Sequence, residues 1–113
     1  MKDNDFERER NQLMDLMKKS DVFFKNFGKI DDDAFSDGAI PKKYKELAMV
    51  AISIVSKCEE CIEFHIKECI KVKSSLSEIL DAIKMGMMAS GSVSYPYVRH
   101  SFRILQELGI INE

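Results

Sequence analysis

The sequence predicts an all-α fold, a compact domain of about five to six helices, and three observations carry that expectation. Apolar residues recur at helical spacing in three separated stretches, a capping box opens one of them, and no pair of alternating strand patterns exists to build a sheet. At 113 residues the chain has the length of one domain, so residues 1–113 are expected to form a single unit with a core over about 42–108 and a helical extension over about 5–27.

The first helix is expected over about 5–19, where Phe6, Leu13, Met14, Leu16 and Met17 are separated by charges. A shorter helical turn holds Val22, Phe23, Phe24 and Phe27. The segment Gly28–Gly38, with Asp31, Asp32, Asp33 and Asp37, is expected to be a solvated loop. Its acidic residues lack the alternating ligands, sixth-position Gly and closing Glu of an EF-hand, which argues against a calcium loop.

Pro41 suits the opening of a helix, and Lys42–Glu46 lead into the apolar run Leu47–Val55. The run is longer than a typical strand and has no partner strand, so a helix is expected. A helix apolar on every side needs cover on every side, which a small monomer supplies poorly; an oligomer is therefore expected. Ser75 and Glu78 have capping-box spacing, and Leu76, Ile79, Leu80, Ile83 and Met87 follow on one stripe that ends near Ser90–Gly91. A last helix is expected from about Tyr95 to Leu108, with Val98, Phe102, Leu105 and Leu108 inward and Gly109 as its stop.

Charge and composition narrow the function. Seventeen basic residues against nineteen acidic ones leave a net charge of −2, which suggests neither nucleic acid nor an anionic membrane as partner. No apolar run approaches the roughly 20 residues of a membrane span, and the start Met1-Lys2-Asp3-Asn4-Asp5 lacks the features of a signal peptide, so the cytoplasm is the expected compartment. Three cysteines, an odd number, point to redox or metal chemistry rather than to a structural disulfide framework.

The chemistry-bearing residues cluster. Cys58 and Cys61 lie three apart, which on a helix or its first turn puts both sulfurs on one side within reach of a disulfide, and His65 continues the same stripe. Glu46, twelve positions before Cys58, leads into the buried run and needs a polar partner that this cluster could supply. A thiol reacts as its thiolate, and a nearby histidine can accept and return the proton. Glu59 and Glu60 between the cysteines oppose that charge, while a helix amino end favours it.

Other readings of the same residues stand beside this one. A zinc site would draw on Cys58, Cys61, His65 and Cys69, yet on one unbroken helix these span about 16 Å, too far for one ion, so the cysteines would have to sit in a preceding turn with His100 as a fourth ligand. The cysteines could also be small core hydrophobes. Arg99, His100 and Arg103 read as surface residues. Tyr95, Tyr97 and Ala89-Ser90-Gly91-Ser92 could line a cleft near the thiols. Cys69 is expected to pack in the core, a third redox thiol being the alternative.

Glu46, Cys58, Cys61 and His65, at these separations, form a pattern that resembles the signature of the alkylhydroperoxidase D family, within the carboxymuconolactone decarboxylase superfamily. The motif covers residues 46–65, and the helical order over about 42–108 is compatible with the superfamily domain. The resemblance implies an AhpD-like all-helical domain assembling as a homotrimer or homohexamer, and a peroxiredoxin-type antioxidant oxidoreductase needing no metal or other cofactor. It implies that Cys61 attacks the hydroperoxide and becomes a sulfenic acid, that Cys58 donates a proton and then closes the disulfide, and that His65 and Glu46 relay protons. Helix-dipole reasoning alone favours Cys58 as nucleophile, since it lies nearer the helix start. The reductant, a thiol or a partner redox protein, is left open by the resemblance. The superfamily's name also suggests a second class, a lyase that decarboxylates a lactone acid, for which Arg99, His100 and Arg103 would be the candidate residues.

Overall fold

The structure, a computed structural model, describes residues 2–112, with side chains from residue 5 onward; most of the amino-terminal pentapeptide read above therefore lies outside the described side chains. The chain is all-α: α1 (Lys2–Ser20), α2 (Val22–Ala34), α3 (Lys42–Val55), α4 (Glu59–Lys71), α5 (Leu76–Ser90), a 3₁₀ turn over Gly91–Ser94, and α6 (Tyr95–Glu107). It divides into two compact units, Met1–Ser36 and Asp37–Glu113.

The first unit is a helical hairpin turning at Asp21. The Asp21 carboxylate accepts from the Phe23 N–H at 2.9 Å, capping α2. Here the structure corrects the sequence expectation: Gly28–Ala34 is not loop but the second half of a thirteen-residue helix. Gly28 lies opposite the flexible tip of Lys18 of α1, an added Cβ standing 3.2 Å from the lysine Cε. No residue of α2 is buried within the described chain; Val22, Phe23, Phe27 and Ile30 all stand largely exposed.

In the second unit α3 packs against both α4 and α5, and α6 closes on α4. Pro41 stands at the N-cap of α3, and Asp37 reaches over it to accept from the Lys42 N–H at 2.6 Å, replacing the cap that proline cannot provide. The core consists of Val50 and Ile54 from α3, Ile62, Ile66 and Cys69 from α4, Ile79, Ala82 and Ile83 from α5, and Ile104 and Leu105 from α6. Gly86 of α5 faces α3 so closely that a Cβ there would lie 3.0 Å from the Ala51 carbonyl oxygen and from Ile54 Cβ. The capping box at Ser75 forms as expected, with Glu78 N–H donating to Ser75 Oγ and Ser75 N–H to Glu78 Oε1.

One of two apolar helices, α6, departs from its expected face. α3 is buried along Glu46, Val50, Ser53 and Ile54, while Ile52 and Val55 are exposed in the single chain. In α6 the inward residues are Ser101, Ile104 and Leu105; Phe102 and Leu108 point outward, because Ile104 rather than Phe102 shares the arc of Leu105 and Ser101.

Candidate functional site

The turn from α3 to α4 fixes Cys58. After Ser56, Lys57 takes a left-handed conformation (φ 57°), and two hydrogen bonds close the end of α3: Lys57 N–H to the Ile54 carbonyl at 3.1 Å and Cys58 N–H to the Ser53 carbonyl at 3.1 Å. This is a Schellman ending in which a lysine occupies the place glycine usually takes. Cys58 is at once the residue that completes α3 and the N-cap of α4; its sulfur accepts from the Cys61 N–H at 3.2 Å. That contact favours negative charge on the Cys58 sulfur, as does the amino end of α4.

Cys58 and Cys61 are joined by a disulfide, their Cα atoms 5.2 Å apart, and both are half-buried. Glu59 and Glu60 lie in the first turn of α4 and are exposed. Their charge complements the helix dipole, which gives the acidic insert a structural reason despite its cost to a thiolate.

One turn beyond Cys61 the polar residues go inward. His65 and Glu46 are buried, and His65 Nδ1 lies 2.8 Å from Glu46 Oε1, joining α4 to α3. The other carboxylate oxygen, Oε2, accepts from Lys42 Nζ at 2.9 Å. A carboxylate oxygen accepts, so Nδ1 is the donor of the contact with Glu46. The Phe64 ring meets His65 edge-on, centroids 5.1 Å apart. Lys42 also stands 3.9 Å from Glu68 Oε1, and Glu68 Oε2 accepts from Lys71 Nζ at 2.9 Å, so an alternating chain of charge runs from the buried imidazole out to solvent.

The four motif residues thus occupy one region: the cysteines at the start of α4, His65 on its next turn, Glu46 opposite on α3. The sequence reading missed Lys42, although its position four residues before Glu46 on a helix was the available signal. Cys69 is buried in the core one turn past His65; burial first, and then the negative charge of Glu46, push its thiol up to about 12.

The cleft expected near the thiols is elsewhere. Tyr95 lines a groove of about 750 Å³ along α6 with Val98, Arg99, Phe102 and Arg103, and neither cysteine borders it. His100, expected at the surface, is half-buried: Nδ1 lies 3.5 Å from Arg103 Nη1 and Nε2 is enclosed with no hydrogen-bond partner. Among the described residues no group of three or more His, Cys, Asp or Glu side chains is arranged to hold a metal ion, and no helix is long and apolar enough to cross a membrane.

The sequence profile of the carboxymuconolactone decarboxylase family matches residues 22–107. The chain belongs to that family. Solved members share its fold. A carboxymuconolactone decarboxylase family protein of Thermotoga maritima, for which a part in the antioxidative response has been suggested, superposes with a TM-score of 0.86 at 27% identity, covering 94% of this chain and 91% of that one. A family protein from Legionella pneumophila, in its apo form, gives a TM-score of 0.80 at 27% identity over 89% and 90% of the two chains. By sequence the chain is 30% identical to uncharacterized protein 4 of the cox locus of Paracoccus denitrificans, over 66% of its own length and 67% of that protein's.

Proposed function

We propose that this family member is a thiol-dependent peroxidase, a disulfide oxidoreductase that reduces hydroperoxides by cycling Cys58 and Cys61 between dithiol and disulfide. The observation that carries the reading is the disulfide at the amino end of α4 one turn from the buried His65–Glu46 pair.

In this scheme His65 accepts the Cys61 proton at Nε2, and the imidazolium that forms is stabilised by Glu46. The Cys61 thiolate attacks the hydroperoxide: an S–O bond forms, the O–O bond breaks, and the alkoxide leaves with the proton of Cys58 as an alcohol. Cys61 is then a sulfenic acid. Cys58, left as a thiolate and favoured by the Cys61 N–H, attacks the Cys61 sulfur; the S–S bond forms, and hydroxide leaves with the proton held by His65, as water. A dithiol or a partner redox protein returns two electrons and two protons. The Cys58 thiolate also makes a good leaving group in that reduction, so the N-cap position serves both half-cycles.

Consumption of an organic hydroperoxide with a dithiol reductant is expected to vanish in Cys61→Ser, and Cys58→Ser is expected to trap a sulfenic acid on Cys61, seen by mass spectrometry as one added oxygen. An unchanged rate in Cys61→Ser overturns the proposal; activity on a lactone carboxylate that survives replacement of both cysteines points to the lyase reading instead.

The same reading carries a homotrimer or homohexamer. The exposed Ile52 and Val55 of α3, and in the other unit Phe23, Phe27 and Ile30, are apolar side chains of the kind an assembly covers. Light scattering of the purified protein tests it, and a monomer at micromolar concentration removes it.

A further inference from the structure

We infer that the amino-terminal hairpin is a dimerisation element: α1 and α2 of one chain pair with α1 and α2 of a second copy, antiparallel about a two-fold axis, as a four-helix bundle. α2 has no buried residue, and Leu13 and Leu16 of α1 with Phe23, Phe27 and Ile30 of α2 are each more than half exposed. Phe23, Phe27 and Ile30 recur at helical spacing, so they form one apolar stripe centred on Phe27. Within the hairpin, α1 and α2 close only a cleft of about 230 Å³, lined among others by Met14, Met17, Phe24 and Phe27. Short helices owe most of their stability to the packing of an apolar face, and a lone pair of helices leaves much of each stripe in water.

The charges identify what covers it. Near the turn at Asp21 stand Lys18, Lys19 and Lys25; at the open end stand Asp31, Asp32 and Asp33, in a last turn of α2 that holds no basic residue. None of these six side chains takes part in an ion pair among the described residues. Carboxylates at a helix C-terminus oppose the helix dipole, and cations are favoured there. A second hairpin laid parallel to the first would set acidic end against acidic end. Laid antiparallel, it sets Lys19 and Lys25 of each turn toward the aspartates of the other chain, at both ends of the bundle. α2 then faces α2 of the second copy, with Phe27 near the axis and Phe23 against Ile30. Such a two-fold contact fits a homohexamer built of dimers and not an isolated homotrimer, so it rests on the assembly reading above and narrows it. No residue of the redox site takes part.

Two charge-swapped full-length proteins test the pairing, with masses read by analytical ultracentrifugation: Asp31→Lys/Asp32→Lys/Asp33→Lys, and Lys18→Glu/Lys19→Glu/Lys25→Glu. Each alone sets like charges together at both ends and is expected to weaken the two-fold contact by about tenfold or more. An equimolar mixture, refolded together, is expected to restore it, since every end again meets its opposite. Cross-linking gives a second measurement, in a background of Cys58→Ser, Cys61→Ser and Cys69→Ala. Under mild oxidation Phe27→Cys is expected to link to itself between chains, and Phe23→Cys to link to Ile30→Cys only when the two proteins are refolded together. Wild-type masses in both charge variants, or links of Phe23→Cys and Ile30→Cys each to itself, overturn the pairing. Circular dichroism identifies a charge variant that has lost helix, and the cross-links then decide. A wild-type trimer overturns the pairing and keeps the assembly reading; a wild-type dimer keeps the pairing and rejects both trimer and hexamer; a monomer overturns both. Hydroperoxide consumption enters none of these readouts, so the peroxidase proposal stands or fails separately.

Discussion

Glu46 and His65 are nineteen residues apart in sequence and touch at 2.8 Å inside the protein. The contact crosses from α3 to α4 at the level where both helices turn their core faces inward, so it is a structural strut as well as a chemical one. Glu46→Ala leaves the imidazole hydrogen without its acceptor and the Lys42 ammonium without its nearest carboxylate, and is expected to destabilise the fold by about 3 kcal/mol. Glu46→Gln keeps the shape and one acceptor oxygen, so about 1–2 kcal/mol is expected. Urea denaturation of the two variants measures the difference; equal stability in Ala and wild type would mean that the contact holds nothing together.

Cys69 separates a packing thiol from a redox thiol. Its raised value of about 12, caused first by burial and next by the Glu46 charge, leaves almost no thiolate near neutral pH. In reduced, folded protein, iodoacetamide is expected to modify Cys58 and Cys61 while Cys69 reacts only after denaturant is added. Labelling of Cys69 at the same rate as the pair would instead support a third redox thiol. Cys69→Ala is expected to keep hydroperoxide consumption and to lose on the order of 1–2 kcal/mol of stability from the small cavity.

Much of this architecture is legible in the amino-acid sequence. The helix from Lys42, the capping box at Ser75 and the glycine stop at Gly109 are local signals, each decided by hydrogen bonds within a few residues, and each appears where the sequence places it. That Cys58, Cys61 and His65 lie along one turn and helix is legible in their spacing, and the structure sets Glu46 against His65. What was hidden depends on neighbours distant in sequence. Gly28 reads as a breaker although α2 runs through it; Phe102 reads as core until Ile104 is found on the inner arc; and Lys42 reads as an ordinary helix-start lysine until Glu46 turns out to be buried with its second oxygen on the lysine.

Glu78 ties two local features together, since its Oε1 accepts from the Ser75 N–H and its Oε2 from Lys43 Nζ, both at 2.9 Å. The backbone hydrogen bond from Ser75, and then the Lys43 ammonium, hold its carboxyl below the usual value of 4.5. A depressed carboxyl contributes stability that is present above its unfolded value and lost as pH falls through the folded one. Melting temperature is therefore expected to fall on acidification below about pH 4.5, and Glu78→Gln to flatten part of that slope while lowering stability at neutral pH. The Lys43 ammonium is raised by the same contact, so its share persists below 10.5 and is lost only as pH rises above that value. Parallel acid slopes in wild type and variant would remove Glu78 from the account.

Lys57 and Lys73 end α3 and α4 in the left-handed region, at φ 57° and 66°, each as the penultimate residue of a Schellman pair. At Lys73 the bonds are Ser74 N–H to the Cys69 carbonyl at 2.9 Å and Lys73 N–H to the Ile70 carbonyl at 3.0 Å, the same register as around Lys57. A side chain with a Cβ costs about 1–2 kcal/mol in this conformation, and glycine returns most of that, less what it gains in freedom when unfolded. Lys57→Gly and Lys73→Gly are each expected to stabilise the protein by about 0.5–1 kcal/mol. Lys57→Gly carries a second consequence, since the same turn delivers Cys58 to the N-cap of α4. A stabilised turn with unchanged disulfide formation would mean that Lys57 serves only to end α3. A slower reaction in the more stable variant would mean that the lysine charge beside Cys58 assists the thiolate. Chemical denaturation read against the rate of Cys58–Cys61 closure distinguishes these outcomes, and a loss of stability in Lys57→Gly would contradict the assignment of strain at this residue.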